Sequence, residues 1–445
     1  MNFNAFKETV IAVCAEMGIT EYELYYQSAE STSIGVFQHE INQFTCSTEG
    51  GVCFRCIVGG KMGYASTEEL SEEQAKAVVR RAADNAAVLE AEEAVFLCEG
   101  GQEYAEVEDR SYALPSTEEI VAKVLDTQNK LYAANPAVID GCSSQGIAER
   151  EETAIFNSKG LNLHSVTTLS GLVTVAVVTN GSEMANDFQI KLGKLDAIDT
   201  DAMTKKAADT ALQKLGGDVA PTGQYHVVFD PDAMADLLST YSSIFSAEAA
   251  QKGLSKLAGQ EGQVIAAPVV TVVDDPFHPA SPAARTFDAE GSPTYCKKII
   301  ENGVFNTLLY NLKTAAVAGK KTTGNASKHG YKSSVGTSPF TMYIAAGDMT
   351  EEELLEKVGE GVYINSLGGL HAGADPISGD FSLQSAGFMI RDGKKAEYVK
   401  SFTVAGNFYE LLKNVVAVAS NLELSGMGRF GAPSVWVDGL SIAGK

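Results

Sequence analysis

The chain has 445 residues, 45% of them hydrophobic, and its 57 acidic against 34 basic side chains give a formal net charge of −23. That length exceeds one ordinary domain, so two or three are expected, with ample apolar material for their cores. So acidic a surface repels phosphate backbones and anionic headgroups, which speaks against partners of nucleic acid or membrane.

The first residues, MNFNAFKETVIAVCAEMG, carry no basic n-region and no long apolar core, and no run of about 18 apolar residues follows. Seven cysteines, an odd number, point to reduced thiols. The expectation is a cytoplasmic protein. Phe3, Phe6, Val10, Ile11 and Cys14 have helical spacing and predict a helix over 3–17. Short runs at 23–29, 31–39, 40–47, 51–58 and 61–66 are separated by turn residues and predict an antiparallel meander. A long helix with Glu68 and Glu69 in its first turn is expected over 67–90. An acidic, irregular segment follows over 91–114. Ser116 and Glu119 fit a capping box for a helix over 116–134. Strands resume over 138–178 around the turn Asn157-Ser158-Lys159-Gly160, and a helix over 195–215 stops at Gly216-Gly217. Segment 216–224 carries Gly and Pro and is the expected boundary between a domain over 1–217 and another over 218–445. The first is read as α+β, helices packed on antiparallel sheet.

The second half opens on a strand over 225–229. Asp230-Pro231 then caps and starts a helix reaching about Phe245. A loop or short helix fills 246–263. Strands are expected near 268–274 and 294–310, the latter split at Glu301-Asn302-Gly303. A short helix over 312–318 precedes a polar, basic loop over 319–338; then come a strand over 340–345 and a helix over 350–357 capped by Thr350. The stretch 361–420 holds a glycine-rich turn around His371, a polar turn over 375–380, and a hairpin over 381–404 folded at Asp392-Gly393. Its last element is a helix from Asn407 to about Val418.

No complete catalytic signature appears. His39-Glu40 is followed by Ile41-Asn42-Gln43, so the second histidine of a His-Glu-x-x-His zinc helix is missing. Cys53 and Cys56 are three apart on a strand and point to opposite faces, which suits structural thiols. Asp274-Asp275 beside His278 could bind metal or do acid–base work, or form a turn. Lys320, Lys321, Lys328, His329 and Lys332 could attract a carboxylate or an acidic peptide, or be solvated. Phosphate loops of the GxxxxGK[ST] and GxGxxG types and a GxSxG elbow are absent. The glycine-turn context makes His371, Ser378, Asp380 and Asn407 the candidates for substrate or partner contact.

One stretch carries a specific likeness. GLHAGADPISGDFSLQSAGFMIRDGK and VKSFTVAGNFYELLKNV, with VVDDP, FDAEGSPT and TTGNAS upstream, resemble the C-terminal core of the TldD/PmbA family, historically labelled modulators of DNA gyrase. The resemblance covers most of residues 220–445 and, more weakly, the N-terminal part. In the TldD type a helical His-Glu-x-x-x-His and a cysteine from a C-terminal turn hold zinc. Here the matching segment, MADLLSTYSSIFSAE at 234–248, has no histidine, and the turn Ser425-Gly426-Met427-Gly428-Arg429 has no cysteine. The chain is therefore similar to the PmbA/TldE partner. That resemblance implies an α+β N-terminal domain and a mostly antiparallel, barrel-like C-terminal domain. It also implies a component of a heteromeric metallopeptidase that cleaves unfolded or leader-bearing peptides taken as extended strands. Zinc would sit in the TldD-type partner and no cofactor in this chain, which would be non-catalytic on its own and could form a homodimer when the partner is absent. Two other readings stay open: an autonomous homodimeric hydrolase using His371 with Asp380, or Asp274, Asp275 and His278; and a regulatory binding protein of a topoisomerase or toxin system.

Overall fold

The computed structural model describes residues 1–90 and 95–445. Residues 91–94, the start of the segment expected to be irregular, lie outside the described residues. Helix α1 (Phe3–Met17) is capped by the Asn2 side chain, which accepts from the Ala5 N–H, and ends on Gly18 in the left-handed region. It is followed by β1 (Tyr22–Phe37), β2 (Glu40–Val58), β3 (Lys61–Thr67), α2 (Glu72–Val88), α3 (Thr117–Ala134), β4 (Ser143–Asn157), β5 (Asn162–Thr179), β6 (Met184–Leu192) and α4 (Thr200–Gln213). The strands form one antiparallel six-stranded sheet in the order β3-β2-β1-β4-β5-β6. Sequence patterning breaks β1 and β2 each into two runs, because Ser28, Glu30 and Ser31 in the one and Thr48, Glu49 and Gly50 in the other interrupt the apolar alternation. The strands are continuous because β1 is paired on both edges: Ser28 lies opposite Gly50 on one side and Glu152 on the other. β6 was not expected. α2 begins later than expected, since Thr67 still belongs to β3 and Ser71 is the cap.

Side chains alternate across this sheet. Leu24, Phe54 and Cys56 bury against Phe6, Val10, Ala75 and Val78 of α1 and α2. Farther along the same face, Ile34, Ala148 and Leu172 bury against Ile120 and Val124 of α3. Tyr25, Cys53 and Ile155 face the other way and pack on Phe287, Ala289 and Leu312 of the second half. The two CxxC sulfurs thus lie on opposite faces, and both are free.

The second half continues with β7 (Asp218–Val219), β8 (Gly223–Phe229), α5 (Pro231–Tyr241), α6 (Ala247–Gln251), β9 (Val272–Asp274), β10 (Lys297–Glu301) and β11 (Val304–Phe305). Next come α7 (Leu312–Ala318), β12 (Ala326–Ser327), β13 (Gly336–Thr337), β14 (Met342–Ile344), α8 (Glu351–Val358), β15 (Gly361–Gly368) and α9 (Leu370–Gly373). The chain ends with β16 (Asp380–Arg391), β17 (Lys394–Asn407), α10 (Phe408–Lys413), β18 (Val415–Val418), β19 (Glu423–Leu424), β20 (Phe430–Ala432) and β21 (Val435–Ala443). Strands β21-β8-β15-β16-β17 are neighbours in that order, and β17 pairs back onto β21, closing a five-stranded barrel. Only β8 and β15 are parallel within it. Val227, Phe229, Val362, Ile364, Leu383, Val404 and Val437 belong to its core. Outside, α8 covers Val228, Tyr363 and Ile390 with Leu354, Leu355 and Val358. The expected α+β architecture with a barrel-like second half is what the structure has. The helix expected to reach 418 instead ends at Lys413, and the β-branched run that follows pairs with β21 as β18. A second six-stranded sheet, β11-β10-β9-β14-β20-β19, carries the loops that reach back to the first sheet. Among the described residues no helix is long and apolar enough to cross a membrane.

Candidate functional site

The site is a cleft of about 420 Å³ between the helix-free face of the first sheet and loops of the second half. Its floor follows from strand period: Gln27 of β1 lies opposite Thr153 of β4, and Thr153 opposite Ser165 of β5. One step along, Ala29 faces Glu151 and Glu151 faces Thr167. Tyr25 closes the inner end. Residues 276–289, 326–328 and 338–341 and the turn at Met427-Gly428-Arg429 form the opposing walls.

These walls are fixed by buried polar contacts. Asp274 at the end of β9 accepts the Phe340 N–H at 2.7 Å, the Asn325 Nδ2 at 2.7 Å and the Lys297 Nζ at 3.2 Å. Asp275 accepts the Phe277 N–H at 2.9 Å and turns the chain. Arg110, from the segment linking α2 to α3, donates to the carbonyls of Phe277, His278 and Ser281 at 2.8, 2.8 and 3.0 Å. Arg429 donates to the Pro339 carbonyl at 3.1 Å. The segment behind Lys328 lies directly on the sheet because residue 51 is glycine. A Cβ there would stand 2.4 Å from the Thr67 carbonyl oxygen and 2.6 Å from the Tyr331 ring.

The cleft mixes charges unevenly. Arg285 reaches Glu151 Oε1 and Thr167 Oγ1, each at 3.5 Å, and Thr153 donates to the same Glu151 oxygen at 3.3 Å. Burial, then the neighbouring Glu151 charge, pushes the Glu149 carboxyl up. The Lys328 ammonium sits 4.4 Å from the centre of the Tyr25 ring. Burial lowers its pKa from the ordinary lysine value. Asp288, also on the wall, accepts N–H bonds from Glu290, Ser292 and Ala326, each at 2.9 Å, while burial pushes its carboxyl up. Among the described residues the lining holds no histidine or cysteine. The cleft is a trough of mixed polar and apolar lining able to take an extended chain, with Arg285, Lys328 and Arg429 as its cations.

Of the residues singled out from sequence, Lys328 lines the cleft, and the four candidates for substrate or partner contact fall elsewhere. Ser378, Asp380 and Asn407 do come together: Asn407 Nδ2 donates to the Ser378 carbonyl at 2.9 Å and to Asp380 Oδ1 at 2.8 Å. The Asn407 side chain also caps α10, Lys256 donates to the Ser378 carbonyl at 2.6 Å, and Tyr241 donates to the Asp380 carbonyl at 2.8 Å. Hydrogen bonds from Asn407 and Ser378 lower the Asp380 pKa. His371 is exposed on α9. None of the four lines the cleft. His278 packs edge-on against Tyr343 at 5.0 Å and accepts from the Ala280 N–H, and His39 stacks on Tyr132 at 4.6 Å. In the basic loop, Lys320 pairs with Glu261 and Lys332 with Glu68, while Lys321 and His329 are exposed. Tyr25, Glu151 and Arg285 were not identified from sequence. The alternation Glu149-x-Glu151-x-Thr153 marks a polar strand face, but nothing local says what covers it.

Comparison with known proteins bears on this arrangement. Residues 222–444 match the PmbA/TldA metallopeptidase C-terminal domain, 111–215 the central domain and 22–86 domain 1 of the same family. A metalloprotease of Methanothermobacter thermautotrophicus is 30% identical over 311 residues, 66% of each chain. A Thermotoga maritima protein proposed as a modulator of a DNA gyrase superposes with a TM-score of 0.91 at 29% identity, covering 99% of this chain and 100% of its own. TldE of Thermococcus kodakarensis superposes at 0.89 with the same coverage, and at 24% identity shares the fold.

Proposed function

The chain belongs to the PmbA/TldD metallopeptidase family, and we propose that it is the PmbA/TldE-type subunit, forming a wall of a peptide cavity beside a TldD-type, zinc-bearing partner. The pair cleaves unfolded or leader-bearing peptides held as extended strands; this chain supplies binding surface and stabilises its partner, and forms a homodimer when that partner is absent. The observation that carries the reading is the donor set at the two places where the family resemblance expects zinc ligands. On α5 and the turn after it, Leu237, Leu238, Tyr241, Ile244 and Phe245 are buried in the apolar core and the segment holds no histidine. The turn offers the Met427 thioether and the Arg429 guanidinium, which is already committed to the Pro339 carbonyl. Zinc takes thiolate, imidazole or carboxylate donors; the carboxylates of the first segment, Asp236 and Glu248, have no imidazole or thiolate from either place beside them, and among the described residues no three such side chains gather to hold a metal, so these residues do not fit it.

The test is metal content and peptide cleavage of the purified chain, alone and after mixing with a TldD-type partner. Stoichiometric zinc and activity in the mixture only are expected. Zinc-dependent cleavage by the chain alone would overturn the assignment.

A further inference from the structure

We propose that Lys328 receives a carboxylate of the bound peptide at the inner end of the cleft. This rests on the peptide-binding reading above. Among the described residues the Lys328 ammonium has no ion-pair partner, unlike Lys320 and Lys332 of the same loop, which are paired with Glu261 and Glu68. It meets the Tyr25 ring instead. A ring face attracts a cation, yet it supplies no acceptor for the ammonium's three N–H groups.

The carboxylates around it are already engaged. Glu151 is held by Arg285 and Thr153. Glu23 is bound by Arg55 at 2.7 Å, and Glu290 lies 3.7 Å from the same guanidinium. Lys328 also lines the cleft, so an incoming acceptor can reach it. Burial disfavours the lone charge, and a carboxylate entering the cleft would relieve that penalty with a charge-assisted hydrogen bond. The chemistry selects a monoanion. Glu151 on the same lining and the net charge of −23 disfavour a dianionic phosphate at this position. The carboxylate is either the peptide's C-terminus or an Asp or Glu side chain; the two share one chemistry and are separable.

The test is calorimetric binding of short unstructured peptides to the full chain and to K328M and K328R. One peptide without acidic side chains is used as the free acid and as the C-terminal amide; an amidated pair carries a central Glu or Gln. Wild type should bind a carboxylate-bearing member about tenfold more tightly than its neutral counterpart, as one charge-assisted bond implies. A preference for the free acid assigns the terminus, and a preference for Glu assigns a side chain. K328M should bind both members of the preferred pair at the neutral level, and K328R should keep the preference. Equal wild-type affinity within both pairs would overturn the carboxylate site while leaving peptide binding intact. A preference that survives in folded K328M, or displacement of the preferred peptide by inorganic phosphate, would overturn it too. No binding of any of the four would overturn the peptide reading with it.

Discussion

A single carboxylate sets one wall of the cleft. Asp274 is fully buried and so is the Lys297 beside it. Asp274 accepts the Lys297 ammonium and also the Phe340 N–H and the Asn325 amide, which fix the two ends of the segment 325–340. Buried ion pairs hold only when the remaining lone pairs are also bonded, and removing one partner strands the other charge. D274A therefore removes three acceptor contacts and leaves Lys297 without its counter-ion. The expected loss is about 3–5 kcal/mol, the range for breaking a buried pair from one side. D274N keeps the shape without the charge and should fall between D274A and wild type. Urea denaturation followed by circular dichroism reads the difference as a lowered midpoint at unchanged slope. A wild-type midpoint in D274A would show that the wall is held by something else. Sequence alone left Asp274-Asp275 as a turn or an acid–base pair. The geometry divides the two: Asp275 makes the turn, and Asp274 anchors the wall.

At the scale of the element, α5 shows what a sequence can and cannot announce. Its start is local and readable: Asp230 accepts the Ala233 N–H at 2.7 Å, and Pro231 occupies the first turn. The capping box Ser116/Glu119 and the Thr350 cap were equally readable, and the structure adds Glu353 to the latter as a second box. What α5 meets is non-local. Burial pushes the Asp230 carboxyl up to about 7, opposed by the Ala233 N–H and reinforced by Asp232. A carboxyl whose folded pKa exceeds its unfolded value holds its proton more firmly when folded. Its contribution to stability therefore falls as pH rises from 3.8 to about 7 and is flat above. Asparagine caps as well as aspartate, so D230N should lose less stability than wild type over that interval and be the more stable protein at pH 8. Urea midpoints across the pH range check this; parallel curves would reject it. The same divide between local and non-local signals explains the rest. The unbroken β1 and β2, the added β6 and the switch of 415–418 from helix to strand all depend on partners distant in sequence. The cleft was least legible, because its floor comes from β1, β4 and β5 and its walls from loops more than a hundred residues later.

At the scale of the whole molecule, contacts of Arg110 and Arg285 cross between the halves, and so does one buried guanidinium. Arg55 on β2 donates through Nε to Glu23 of β1 at 2.7 Å, and its Nη1 lies 3.7 Å from Glu290 of the second half. Glu23 also accepts from Asn157 of β4 at 3.5 Å, and Glu290 accepts the N–H of Leu312, the first residue of α7, at 2.9 Å. The apolar cores of the two halves are otherwise largely separate, one built on β1, β2 and their helices and one on the barrel. A weld of this kind makes unfolding of either half costly to the other, so heating should give wild type a single cooperative transition. R55M replaces the cation with an apolar side chain and leaves two buried carboxylates facing each other. Burial already pushes Glu290 up, and without Arg55 both groups would have to take up protons or expose themselves. The loss should again be about 3–5 kcal/mol, and it should fall on the boundary, splitting the calorimetric endotherm in two. If the interaction crosses the boundary as drawn, the double variant R55M/E290Q should recover part of the loss, since the second substitution removes a charge the first has stranded. Losses that simply add would mean that Arg55 serves only its own sheet through Glu23, and that the halves are coupled by packing of Tyr25 and Ile155 on Phe287 instead.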